Sequence, residues 1–140
     1  MKFSHVALSC ADPIATERFY TQHFGFQRAR VVPTPEGRQD VFIKSGAVYL
    51  ELMYADGPRP VAPPDKAGYL YQGVRHLAFQ VDDVDATLAA MGDEAIVTLG
   101  PLRFDEAIPG WKTVWVADPD GNIVEISQGY VDQVDPPALA

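Results

Sequence analysis

The sequence predicts an α+β protein made of two tandem βαβββ modules that together form a concave mixed β-sheet. Three observations carry that expectation. First, a stretch repeats: His5-Val6-Ala7-Leu8-Ser9-Cys10-Ala11-Asp12 returns 71 positions on as His76-Leu77-Ala78-Phe79-Gln80-Val81-Asp82-Asp83, and the register holds through Ala15/Ala86 and Thr16/Thr87. Second, both copies alternate as strands do, with His5, Ala7 and Ser9 (or His76, Ala78 and Gln80) on one face and the apolar residues on the other. Third, the ends of the halves correspond, because Val48-Tyr49-Leu50-Glu51-Leu52 resembles Asn122-Ile123-Val124-Glu125-Ile126, with the offset drifting to 74 through loop insertions. Each half therefore opens on a strand with one histidine and closes on a strand with one glutamate.

Length and charge bound the function. A chain of 140 residues makes one domain, and halves of about 70 residues would be marginal alone, so they are expected to share a core. The expected division is module 1 at residues 1–54, a linker at 55–72, module 2 at 73–128 and a tail at 129–140, all within a single domain. A net charge of −8 argues against nucleic acid and against an anionic membrane surface, leaving small molecules as the expected ligands. There is no apolar run of membrane-spanning length. The N-terminus leads straight into a strand, and the lone Cys10 reads as a small buried hydrophobe, so the expected compartment is the cytoplasm.

Local signals place the elements in order. After a strand at residues 3–10, Asp12-Pro13 signals a helix start, since the carboxylate accepts from free amides and proline fits the first turn. The helix is expected over residues 13–23, burying Ile14, Ala15, the stem of Arg18, Phe19 and Tyr20, and ending at Gly25 in the left-handed conformation. Strands follow at 26–32, 41–44 and 47–53, separated by a proline and glycine turn at 33–38 and by Ser45-Gly46. Residues 55–73 hold four prolines and read as a structural loop ahead of a lid over a ligand pocket, although Tyr69, Leu70 and Tyr71 are apolar enough to pack on something. The second half repeats the order: a strand at 73–81, a helix capped by Asp82 or Asp83 and running to Met91 on Val84, Leu88 and Met91, a strand at 95–99, and a long connection at 100–110. A hairpin of strands 111–117 and 122–128 then turns at Asp118-Pro119-Asp120-Gly121.

The duplication turns two ordinary histidines and two ordinary glutamates into a candidate metal centre. His5, Glu51, His76 and Glu125 would converge on one sheet face, and two imidazoles with two carboxylates suit a divalent ion in both donor type and charge. Phase agrees, because Glu51 shares its face with Tyr49 and Met53 while Leu50 and Leu52 point away, and Glu125 opposes Val124 and Ile126 in the same manner. A carboxylate amid β-branched residues needs a partner, since an unpaired buried charge is costly.

The pattern resembles the vicinal oxygen chelate superfamily, which includes glyoxalase I, methylmalonyl-CoA epimerase, extradiol dioxygenases, fosfomycin-resistance enzymes and bleomycin-binding proteins. The resemblance runs from His5 to Glu125 and rests on His5 in the first strand, Phe19-Tyr20 with Phe24-Gly25-Phe26, His76 with Asp82-Asp83-Val84, and Asp118-Pro119-Asp120-Gly121-Asn122 leading into Ile123-Val124-Glu125. In ligand set the chain is most similar to glyoxalase I, and the resemblance implies a metal-dependent lyase, isomerase or epimerase on a small oxygen-chelating substrate. The implied metal is nickel, zinc, cobalt or manganese, with Glu125 as base and Glu51 as its partner. Two positions depart from the glutathione-contacting pattern of bacterial glyoxalases, with Ser9 in place of an arginine and Ala55 in place of an asparagine.

Two other readings stand beside it. One is an Fe(II) extradiol-type dioxygenase using His5, His76 and Glu125 as a facial triad. The other is a metal-free binding or resistance protein holding an apolar ligand among Tyr49, Met53, Tyr69, Tyr71, Phe104 and Trp111. Ser9, Tyr49, Met53, Gln80, Phe104 and Trp111 are the candidate substrate contacts, while Arg38, Arg103 and Lys112 read first as solvated surface charge. A homodimer is implied by the resemblance.

Overall fold

The computed structural model describes residues 1–138 and, apart from that of Glu36, their side chains; the last two residues of the expected tail lie outside the described residues. The element order is β1 (Val6–Cys10), α1 (Pro13–Phe24), β2 (Gln27–Pro33), β3 (Gln39–Ser45), β4 (Val48–Tyr54), β5 (Leu77–Gln80), α2 (Val84–Met91), β6 (Ile96–Arg103), β7 (Lys112–Ala117) and β8 (Ile123–Gln128). The strands form two four-stranded sheets of the same order, β1-β4-β3-β2 and β5-β8-β7-β6. In each sheet the first strand of the module runs parallel to the last, β1 to β4 and β5 to β8. This is the tandem βαβββ architecture.

Both helices start and stop on the residues that dictate it. Asp12 accepts from the amides of Ile14 and Ala15, Pro13 occupies the first turn, and Gly25 closes α1 at φ 67°. Asp83, rather than Asp82, caps α2 through the Ala86 amide. The buried face of α1 is Thr16, Phe19 and Tyr20. Ile14, expected in the core, is 76% exposed, and Arg18 is exposed as well. The reason is helical phase: at about 3.6 residues per turn Ile14 and Arg18 each stand roughly 200° around the helix from Thr16, so a buried face of Thr16, Phe19 and Tyr20 leaves both outward.

The chain divides into two compact units, residues 1–64 with 117–122, and residues 65–116 with 123–140. Within the first, the core is Phe19, Tyr20 and Phe26 against Val41, Ile43, Leu50 and Leu52, with the Phe19 and Tyr20 rings edge-on at 5.3 Å. Its short excursion of residues 117–122 is held by hydrogen bonds: the Ala11 amide and the Thr16 hydroxyl each donate to the Asp120 carboxylate at 2.7 Å, and the Tyr20 hydroxyl donates to Asp118 at 3.0 Å. The second unit packs Val84 and Met91 of α2 with Val114, Val116, Ile123, Val124 and Ile126.

The expected long connection at 100–110 is shorter than the spacing implied, because β6 continues through Gly100 and Pro101 to Arg103. That bond is cis, and Gly100 has φ 89° with its Cα so close to β7 that a Cβ would stand 3.1 Å from the Thr113 carbonyl. Proline is tolerated because β6 is an edge strand, where a missing N–H costs no ladder bond. Among the described residues, no helix is long and apolar enough to cross a membrane.

Candidate metal centre

Strand alternation delivers the four candidate ligands as two pairs. Leu50 and Leu52 are buried at 1% and 0%, which turns Glu51 to the opposite face of β4. Val124 and Ile126, both fully buried, do the same for Glu125 on β8. His5 Nε2 lies 3.1 Å from Glu51 Oε2, and His76 Nε2 lies 2.9 Å from Glu125 Oε2. Each glutamate faces an alanine on the parallel neighbour, Ala7 beside Glu51 and Ala78 beside Glu125, so the small side chain leaves the carboxylate room to meet the histidine two residues earlier.

The other flank of each glutamate is aromatic. Phe42 on β3 is the register partner of Glu51, and its ring meets the His5 imidazole edge-on at 5.5 Å. In the β7–β8 hairpin the Asp118 amide donates to the Asn122 carbonyl at 2.9 Å, and counting back along the strands sets Trp115 opposite Glu125. Its indole lies 6.3 Å from the His76 ring at an interplanar angle of 65°. Trp115 is 7% exposed, and among the described residues its indole N–H has no acceptor. Such an orphan costs about 1–3 kcal/mol.

The imidazoles are held differently. His76 Nδ1 meets the Ala67 carbonyl at 2.6 Å, and because a carbonyl only accepts, Nδ1 carries the hydrogen. Nε2 then meets the Glu125 carboxylate through a shared proton, and with that proton gone it is the nitrogen that offers a lone pair to a metal, the arrangement that orients a metal-binding histidine. The carbonyl comes from the loop between the sheets. Gly68, at φ 112°, passes so close to Arg75 that an added Cβ would sit 2.2 Å from the Arg75 carbonyl oxygen. Tyr69 in turn accepts from Arg75 Nε at 3.0 Å. His5 Nδ1 meets only the Ser4 hydroxyl, at 2.9 Å.

The donor chemistry of both pairs fits a divalent ion: neutral nitrogen, anionic oxygen, and side-chain exposures of 34% and 17% for His5 and Glu51 against 21% and 13% for His76 and Glu125, low but open. Among the described residues of one chain, no three or more His, Cys, Asp or Glu form a group that could hold a metal ion.

The candidate substrate contacts divide between the units. Ser9 and Met53 are register partners on the exposed side of β1 and β4, with half-buried Tyr49 further along the same β4 face. Gln80 reaches the Tyr130 carbonyl at 3.4 Å. The Phe104 and Trp111 rings meet at 4.9 Å, tilted by 42°, with the Trp111 indole donating to the Ser127 hydroxyl at 3.0 Å. The three surface cations are engaged locally, Arg38 over the Tyr54 ring, Arg103 with Asp105 and Lys112 with Asp85. Trp115, Phe42 and Ala67 were not legible as site residues, the last because a backbone carbonyl leaves no mark on a sequence.

A groove of about 490 Å³ also opens in the first unit, lined by Pro13, Ile14, Arg28, Arg38, Val41 and Tyr54. Val41 and Tyr54 share the phase of Leu50 and Leu52, so the groove lies on the face away from Glu51.

Buried acid chemistry lies apart from both pairs. Asp118 accepts from the amides of Asp120 and Asn122, the Asn122 side chain and the Tyr20 hydroxyl, yet burial outweighs these and raises its carboxyl above the usual range. Burial also pushes the Tyr20 hydroxyl well up, and the Cys10 thiol to about 12.

Residues 2–126 match the family model of the glyoxalase/bleomycin resistance protein/dioxygenase superfamily, and the chain belongs to that superfamily. A glyoxalase family protein from Enterococcus faecalis is 29% identical, with 90% of this chain and 96% of that one aligned at a TM-score of 0.67. Lactoylglutathione lyase from Agrobacterium tumefaciens is 29% identical over 91% of this chain and 92% of its own, with a TM-score of 0.59. The fosfomycin resistance protein FosX from Listeria monocytogenes, complexed with Mn(II) and sulfate, shares the fold at a TM-score of 0.65 and 15% identity, over 92% and 93% of the two chains.

Proposed function

We infer that the protein is a divalent-metal-dependent enzyme of the glyoxalase I type, moving a proton next to a carbonyl on a small oxygen-chelating substrate. The observation that carries this is the recurrence of one arrangement in both units, His Nε2 against Glu Oε2 with alanine on one side and an aromatic ring on the other. His5, Glu51, His76 and Glu125 would hold the cation, which would supply Lewis-acid stabilisation of charge on adjacent substrate oxygens. Glu125 takes the proton from the carbon beside the carbonyl, and Glu51 is its partner carboxylate. The Ala67 carbonyl keeps Nδ1 of His76 protonated and so keeps Nε2 available. Ser9, Met53 and Tyr49 on one sheet, and Gln80, Phe104 and Trp111 on the other, are the candidate contacts to the body of the substrate.

The lyase from Agrobacterium tumefaciens supports the reaction class, and FosX, a neighbour of the same fold complexed with Mn(II), supports a divalent ion. A structural or catalytic zinc takes at least three protein ligands. Each unit brings one His–Glu pair, so a homodimer in which a second copy supplies the complementary pair is part of this reading.

The test loads the purified protein with nickel, zinc, cobalt or manganese and follows deuterium uptake from heavy water at the carbon next to the carbonyl of hydroxycarbonyl and hemithioacetal substrates. Exchange that needs the metal and disappears in Glu125→Gln is expected. A protein that binds none of the four ions would falsify the reading.

A further inference from the structure

The two glutamates share an alanine on one flank and a histidine beside it, but differ across the antiparallel neighbour: Phe42 faces Glu51, and Trp115 faces Glu125. Both rings fill the same kind of space, but the indole brings a donor that phenylalanine lacks. Among the described residues that donor has no acceptor, although buried polar groups are as a rule satisfied. The missing acceptor must come from a group that moves or changes partner, because the nitrogen is already enclosed by its own chain.

Glu125 is such a group. Counted from the Asp118 to Asn122 bond, Trp115 and Glu125 form a non-hydrogen-bonded cross-strand pair, the kind in which facing side chains approach most closely. The Glu125 carboxylate is engaged by His76 Nε2 at 2.9 Å. With Nδ1 committed to the Ala67 carbonyl, Nε2 is the only nitrogen His76 has for a cation, and it cannot serve the cation and hold Glu125 through a shared proton together.

We propose that Trp115 is a positioning residue whose indole N–H takes up the Glu125 carboxylate once His76 gives it up to a divalent cation. The proposal rests on the metal reading above and adds an asymmetry to it: only the second glutamate has a reserve donor, so it is the one that can change partners without being left buried and unpaired. Phe42 gives Glu51 no such alternative.

The experiment is a titration of the full-length, 15N-labelled protein with zinc alone, read on the indole N–H signals. The Trp115 signal is assigned by its absence in Trp115→Phe. In the metal-free protein it should look like an unbonded indole, and on loading it should move downfield and exchange more slowly with water, while the Trp111 signal, already bonded to Ser127, stays in place. Trp115→Phe should bind zinc about tenfold more weakly, as loss of a group orienting a metal ligand does, with its metal-free melting temperature little changed. A Trp115 N–H that is already downfield without metal has an acceptor and overturns the proposal. If the His76 ring signals shift with zinc but the indole does not, and Trp115→Phe binds zinc like the parent, the proposal is wrong and the metal centre stands. If neither His76 nor Trp115 responds, the metal reading falls and takes this one with it. Should Trp115→Phe fail to fold, the assignment passes to Trp111→Phe and the titration decides alone.

Discussion

The His5–Glu51 and His76–Glu125 pairs descend from one pattern but are supported unequally. In the first unit the far nitrogen of the imidazole meets an exposed serine hydroxyl, which can donate or accept and so leaves the tautomer open. In the second it meets a carbonyl, which fixes it, and both members of the pair are less exposed. The lesson is that duplication preserved the four donors while the surrounding shell diverged. The second pair is the more rigidly oriented one, through that fixed tautomer, and the first the less.

The largest effect should come from the acid on the rigid side. Glu125→Gln is expected to cut turnover by about 10²–10⁴-fold, the usual worth of a positioned general base, with Glu51→Gln costing less. Equal losses in steady-state rates would erase the distinction between the pairs. Next, Gly68→Ala forces the loop away from Arg75 and takes the Ala67 carbonyl with it, so zinc affinity measured by calorimetry should drop about tenfold. Ser4→Ala, the matching change on the first side, should alter it less than about twofold, and a larger fall would show that the hydroxyl holds His5 firmly after all.

Two smaller effects probe the buried groups of the first unit, which have no counterpart in the second. Because the folded carboxyl of Asp118 titrates above its unfolded value, its contribution is greatest below the ordinary carboxylate range and declines as pH rises through the raised value. The stability of the parent relative to Asp118→Asn, from urea titrations between acid and neutral pH, should therefore fall as pH increases; a rising difference would reverse the assignment. The least conspicuous outcome concerns Cys10, whose buried thiol at about 12 should resist disulfide reagents at pH 8 in the native protein and react on unfolding.

Much of the fold was legible because its signals are local or repeated. Asp12-Pro13 and Gly25 bracket α1 by backbone chemistry that needs no tertiary context, and the pairing of leucines around Glu51 and of aliphatics around Glu125 sets the phase of both strands. Tertiary contacts supplied what was missed. Ile14 looks like a core residue until Asp120, 104 positions beyond Thr16, fixes the buried face on the opposite side of α1. Pro101 reads as a strand breaker unless β6 is known to lie at an edge. Trp115 sits in a run of buried residues, and only its lack of an acceptor separates it from ordinary packing.

The Ala67 carbonyl also sets rules for anyone who would edit the gene. It stands nine residues ahead of the imidazole it orients, in a closed loop pinned at Gly68 and Arg75. Reporter tags or spliced segments inserted upstream, near the exposed prolines at positions 58 and 60, should be carried silently, whereas even one extra residue between positions 68 and 75 should be felt at His76.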